Sequence, residues 1–336
     1  MHGQRALGVG LVLLSGIAFA SGSVFATLSY AQGIDWLTLS AWRFIIAASA
    51  AWTWVLVSPR RRASVRRLPR RQVVLALGLG AMYTGNAGTY YASIEIIPAV
   101  LAGVIVYLYP IFVALLSLRF VTRLDGRRPW FALGLATLGV VLALGGLDMG
   151  AGIPWDGLAL VFASAIIYAV WIVLSARLAG ERRDRLAHDT PKGAGQTHDA
   201  AITTALMILG TATVFTILST VAGQPPDPRT IPPGVWPHLL GLGLLASFLA
   251  IQTLYAGARR IGAAQAALVG TTEPVFIVLL TFLILDQRLG PIQLVGAACI
   301  VTGVLIAQTG QRGPDDPQPA TPFESEGHRF GERSTD

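Results

Sequence analysis

A carboxylate and a proline adjoin one another in ALVGTTEPVFIVLL, residues 267–280, within a long uncharged run. An ionised Glu273 at the centre of a hydrocarbon layer costs at least about 2.5–3.5 kcal/mol on insertion scales. Two readings fit such a group. It binds a substrate ammonium or a proton, or it is a structural carboxylate hydrogen-bonded between helices. Pro274 has no N–H to give the carbonyl of Gly270, and Pro110 has none for Val106. Freed carbonyls are tolerated in a membrane only where protein or a cavity satisfies them. The side chains of Thr271 and Thr272 would serve, as would a substrate. The two prolines therefore kink helices around a cavity, or kink them for packing alone.

Three further groups carry chemistry. Arg43 in SAWRFIIA would hold a substrate carboxylate through paired N–H donors, or snorkel toward the nearer interface. Asn86 is the only asparagine in the chain. Tyr83, Tyr90, Tyr91, Tyr107, Tyr109, Tyr168, Trp171, Gln252 and Tyr255 fall in the same apolar segments, where they line an amphipathic pocket or fill the core. The candidate substrate or coupling residues are Glu273, Asn86, Arg43, Tyr83, Tyr107, Trp171, Gln252 and Thr272. No phosphate-binding loop and no HExxH motif occurs, and GLGAMY at 78–83 lacks the third glycine of a dinucleotide fingerprint. No cofactor, metal or catalytic residue is expected.

The elements that must position these groups follow from composition. Of 336 residues, 53% are hydrophobic and only 13% charged, against roughly a quarter charged in soluble domains. A membrane-spanning helix needs about 20 mostly apolar residues. Ten segments qualify: 6–28, 36–57, 72–92, 99–118, 130–147, 157–178, 201–223, 235–256, 263–285 and 290–309. The net charge of +7 is spread over short segments between them, so lipid headgroups and topology explain it, and nucleic acid does not. Cys299 is the only cysteine and lies in an apolar run, which excludes an internal disulfide. Arg5 followed by ALGVGLVLLSGIAFA mimics a signal peptide, but the repeat described next keeps this segment as a helix.

Shifted by 164 residues, Tyr91-Ala92 falls on Tyr255-Ala256, Ile97 on Ile261, Pro110 on Pro274, Phe112 on Phe276, and Gly139-Val140 on Gly303-Val304. A separate shift of 149 places Gly8, Leu11, Val12, Ser15, Ile17, Ala20 and Val24 on identical residues from Gly157 to Val173. The chain thus reads as an all-α integral membrane protein of ten transmembrane helices in two five-helix repeats. Five is odd, so the repeats are inverted. Residues 1–147 form the first repeat and 148–309 the second, which contains the loop 179–200. Residues 310–336, rich in Pro, Asp, Glu and Ser, form a disordered tail. Inverted repeats are the architecture of secondary transporters, with a midplane site where the halves meet.

LYAGARRIGAAQAALVGTTEPVFIVLLTFLILDQRLGPIQLVGAACIVTGVLIAQ, residues 254–308, resembles the second repeat of EamA-type drug/metabolite transporters. Tyr255-Ala256, the small residues from Gly262, Glu273-Pro274, the turn Asp286-Gln287-Arg288-Leu289, and Gly296 with Gly303 carry the resemblance. The first half matches through Arg43-Phe44 and Pro110, and the whole resemblance covers about residues 7–309. It implies export or exchange of a small metabolite across a prokaryotic plasma membrane. Where the family has a Glu after the ninth helix, this chain has Asp286, with Thr122 at the paired position. No role is carried over there. The expected function is secondary transport of a small amphipathic metabolite such as an amino acid, outward, with protons as the candidate coupling ion. Import or exchange of another metabolite is the alternative, and an integral membrane enzyme or scaffold is the reading from another class.

Arginine decides the orientation. Residues 58–71 hold seven, and further clusters follow the fourth, sixth and eighth segments, while the alternate loops hold only Arg229 and Arg288. Both termini and the basic loops are therefore predicted to be cytoplasmic. With Cys299 replaced by Ser, a cysteine at Ser64 or Thr190 is expected to resist an impermeant thiol reagent added to intact cells, and one at Asp227 to react. Reaction at Ser64 would invert the topology.

Overall fold

The computed structural model describes residues 2–109, 154–178, 200–261, 269–270 and 272–309, with scattered residues between 112 and 142. The described residues are helical or in turns, with no strand among them. Asp35 starts the second helix by accepting the N–H groups of Leu37 and Thr38 at 2.9 and 3.0 Å, which satisfies two of the donors every helix start leaves open. Gly33 and Gly223, at φ +84° and +80°, turn the chain out of the helices before them, a conformation open to glycine at no steric cost.

The helices are α1 (His2–Tyr30), α2 (Trp36–Val57), α3 (Pro59–Arg66), α4 (Arg70–Ile96), α5 (Ala99–Val106), α6 (Trp155–Leu178) and α7 (Ala200–Val221). Next, Trp236–Leu240, the π-helical Gly241–Leu249 and Ala250–Ile261 run on without a break, and together they are α8. Then come α9 (Glu273–Leu285) and α10 (Pro291–Thr309). Among the described residues, five stretches are long and apolar enough to cross a membrane: Ala6–Tyr30, Trp36–Val57, Trp155–Leu174, Ala201–Val221 and Pro233–Leu254. α4 is as long but more polar. It is enclosed by α2, α6 and α7, where a helix bearing Thr84 and Asn86 can satisfy its polar groups.

Three features depart from the sequence-based expectation. The stretch 58–71 contains the helix α3, because Pro59 fits the first helical position and Val65 and Leu68 pack against the core. The segment 263–285, expected as one helix with Glu273 near its centre, is interrupted just before Glu273. A turn at Thr272 precedes α9, and Glu273 opens that helix. Pro274 is the reason: lacking an N–H and clashing with the carbonyl four residues back, it suits a first turn better than a helix interior. α8 contains nine π-helical residues, which hydropathy does not reveal. Pro110, most of segment 130–147, nearly all of loop 179–200 and the tail from residue 310 lie outside the described residues.

The packing is built from pairs of like contacts. α1 packs on α8 and α9, while α6 packs on α4 and α5. Ser15 Oγ donates to the carbonyl of Ala250 at 2.8 Å, and Ser164 Oγ to the carbonyl of Asn86 at 3.2 Å. A methyl group on Gly8 would meet Ile261 Cγ2 at 2.5 Å, and one on Gly157 would meet Ile97 Cγ2 at the same distance. Between α4 and α7 the backbones touch. A Cβ on Gly80 would collide with the carbonyl of Met207, and one on Gly210 with that of Leu77. Small residues allow such approach where lipid removes any hydrophobic force between helices. Gly80→Ala is therefore expected to cost about 1–3 kcal/mol of stability. Gly78→Ala, one turn-face away with no atom within 4 Å, should leave the thermal unfolding temperature in detergent unchanged or slightly raised. Equal temperatures for both variants would refute the close contact.

Candidate functional site

A cavity of about 280 Å³ lies among α1, α2, α4, α6, α7, α8 and α9. Among the described residues its charged lining groups are Arg43 from α2 and Glu273 from α9. Arg43 sits about two helical turns into α2 and is buried, with 6% exposure. Its Nε donates to Ser247 Oγ at 2.7 Å, and its Nη2 makes a long contact of 3.4 Å with the carbonyl of Ala246. Its guanidinium carbon lies 4.4 Å from the centre of the Tyr91 ring and 5.0 Å from that of Phe44. A desolvated cation over aromatic faces gains on the order of 2 kcal/mol.

The anchor for Arg43 comes from the π-helical stretch. Ser247 Oγ donates to the carbonyl of Leu242, five residues back, at 2.8 Å, and so is placed to accept from Arg43. π-helical turns of this kind recur at functional sites. Glu273 reaches the cavity because it begins α9 instead of lying inside it. Tyr107 lines the same cavity. Tyr107 is itself in a turn, after α5 ends at Val106. Arg43 and Glu273 form no ion pair with each other. Arg43 is held by neutral partners, and both charges line the same cavity.

The wall between them is aromatic. Tyr168 meets Tyr109 edge-on at 4.7 Å and stacks on Trp171 at 5.8 Å. Trp171 meets Tyr83 at 5.4 Å and donates its Nε1–H to the carbonyl of Leu79 at 2.9 Å. Asn86 accepts from Ser164 Oγ at 2.9 Å through its side-chain oxygen. Near the end of α1, Tyr90 and Ser23 hydroxyls pair at 2.9 Å, and Tyr30 donates to the carbonyl of Tyr91 at 2.8 Å. These bonds tie α1 to α4 beside Arg43.

Six of the eight sequence-derived candidates thus meet at one cavity: Glu273, Asn86, Arg43, Tyr83, Tyr107 and Trp171. The other two do not line it. Thr272 donates its hydroxyl to the carbonyl of Val269 at 2.7 Å, closing the turn before α9. Gln252 is half-buried, and its Nε2 has no hydrogen-bond partner. Pro274 borders a second, apolar cavity with α10. Sequence reading missed Thr204, Met207 and Thr211 of α7, which line the site; nothing in their composition distinguishes them from core residues. Ser247 was missed for another reason, since its role depends on the π-helical turn. Among the described residues no group of three His, Cys, Asp or Glu side chains could hold a metal ion.

Comparison with known proteins gives four matches. The sequence model of the EamA-like transporter family matches residues 6–145 and 190–309. An uncharacterized transporter of Synechocystis is 26% identical over 326 residues, covering 88% of this chain and 91% of that protein. The uncharacterized transporter YcbK of Bacillus subtilis is 21% identical over 309 residues, covering 91% and 93%. A solved crystal structure, 20% identical, superposes with a TM-score of 0.58 over 91% of this chain and 97% of its own, and so shares the fold.

Proposed function

Because the chain belongs to the EamA-like transporter family, an all-α, multi-pass membrane architecture, we propose that it is a secondary transporter. It moves a small amphipathic metabolite, an amino acid or a similar molecule, outward across the prokaryotic plasma membrane by alternating access. The observation that carries this reading is the cavity in which a buried guanidinium and a carboxylate face the same space without pairing, joined by an aromatic wall. Arg43 takes a substrate carboxylate. Glu273, beside Tyr107, takes a substrate ammonium or a coupling proton. Tyr83, Trp171 and Asn86 shape the space between them. Gln252 and Thr272 receive no substrate contact in this reading. Pro274 sets the helix break that brings Glu273 to the site.

We further propose two inverted halves, residues 1–147 and 148–309, with ten spanning helices, cytoplasmic termini and a cytoplasmic tail over 310–336. Support comes from contacts that map onto one another under the two sequence shifts. Ser15 and Ala250 become Ser164 and Asn86, and Gly8 and Ile261 become Gly157 and Ile97. The cavity lining follows the same rule, pairing Phe19 with Tyr168, Tyr90 with Leu254, and Tyr109 with Glu273. A site straddling a pseudo-two-fold axis is what rocking of one half against the other requires.

Glu273→Gln keeps the shape of the side chain and removes its charge and titration. In proteoliposomes loaded with labelled amino acids it is expected to lower flux at least about ten-fold, the equivalent of roughly 1.4 kcal/mol, or to abolish the pH dependence of flux. Expression and thermal stability should stay near wild type. Wild-type flux with an unchanged pH profile, together with misfolding of Glu273→Leu, would make the carboxylate structural.

A further inference from the structure

Between Asp35 and Glu95 the chain contains no acidic residue, yet residues 58–71 hold seven arginines. α3 organises them. Val65 and Leu68 turn inward against the core. Arg61 is half-buried, its guanidinium 4.6 Å from the centre of the Trp54 ring, and Arg62 donates to the carbonyl of Leu56 at 2.7 Å, capping the end of α2. Arg60, Arg66, Arg67, Arg70 and Arg71 are exposed and form no ion pair with a described residue. Five like charges so close repel one another unless a dense array of anions faces them.

The position of α3 identifies those anions. α2 is long enough to cross the membrane, and α3 begins two residues after it ends. Trp54 and Val57, at that end of α2, are 47% and 73% exposed, as lipid-facing side chains are. The exposed guanidinium face therefore stands at the headgroup level of the adjoining leaflet. We infer that α3 is a docking site for anionic phospholipid headgroups of the phosphatidylglycerol type. Each phosphate would accept paired N–H donors from a guanidinium. The site is separate from the transport cavity and rests only on the membrane placement of α2.

The test uses the full chain in nanodiscs of phosphatidylcholine, alone or mixed with phosphatidylglycerol, with lipid retention read by native mass spectrometry after transfer to detergent. Wild type should retain phosphatidylglycerol in preference to phosphatidylcholine and unfold at a higher temperature in the mixed discs. Arg66→Gln with Arg67→Gln should weaken that preference at least about ten-fold, since each basic residue near an anionic surface contributes roughly five-fold. Arg66→Lys with Arg67→Lys should keep most of it, and Arg229→Gln with Arg288→Gln, the same loss of charge elsewhere, should keep all of it. Equal retention of the two lipids by wild type, an equal loss in the Arg229 and Arg288 control, or displacement of the lipid by inorganic phosphate would each overturn the proposal.

Discussion

An unpaired charge in an apolar interior must be held by something, and that constraint governs this molecule. Arg43 is buried among helices that cross a membrane, where an isolated cation costs at least about 2.5–3.5 kcal/mol. Its partners are a serine hydroxyl, a backbone carbonyl and the faces of two aromatic rings. None of these neutralises it, so its field remains directed into the cavity. Glu273 lines the same cavity, with Tyr107 among the other lining residues. Replacing these charges with an apolar pair would satisfy a purely structural core more simply. Their persistence as separate groups is the reason for placing a ligand between them.

The helices are arranged to make that separation possible. The π-helical stretch of α8 presents Ser247 to Arg43, and the break before α9 brings Glu273 out of a helix interior to its first turn. Glycines on α1, α4, α7 and α8 let backbones approach until only hydrogen fits between them. Paired contacts, with Ser15 on α8 and Ser164 on α4, hold each peripheral helix to the opposite half in the proposed repeat.

Much of the fold was legible in hydropathy, since α2 occupies the expected 36–57 and α6, α7 and α10 lie within two residues of their expected bounds. Composition carried that signal because apolar length is what a membrane demands. The site was legible where a residue is costly in its surroundings: Glu273, Arg43 and Asn86 stand out from any apolar run. Serines and threonines do not, because their value lies in which carbonyl or guanidinium happens to be opposite. The proposed repeat adds to hydropathy. The shift of 164 pairs Glu273 with Tyr109, and the shift of 149 pairs Ser15 with Ser164, so under that proposal the lining position of Tyr109 and the bond made by Ser164 follow from their partners. α3 and the π-helical turn arise from packing and local hydrogen bonding that no periodicity marks.

The central claim is that one cavity, reached from one side of the membrane at a time, carries the substrate. Met207 lines that cavity. With Cys299 replaced by Ser, Met207→Cys can be labelled by an impermeant maleimide added to right-side-out or inside-out vesicles. The account predicts labelling from one side only in a given condition, with the preferred side or the rate changed by a transported amino acid. Simultaneous labelling from both sides would describe an open channel, and protection from both sides under all conditions would describe a closed core; either contradicts it.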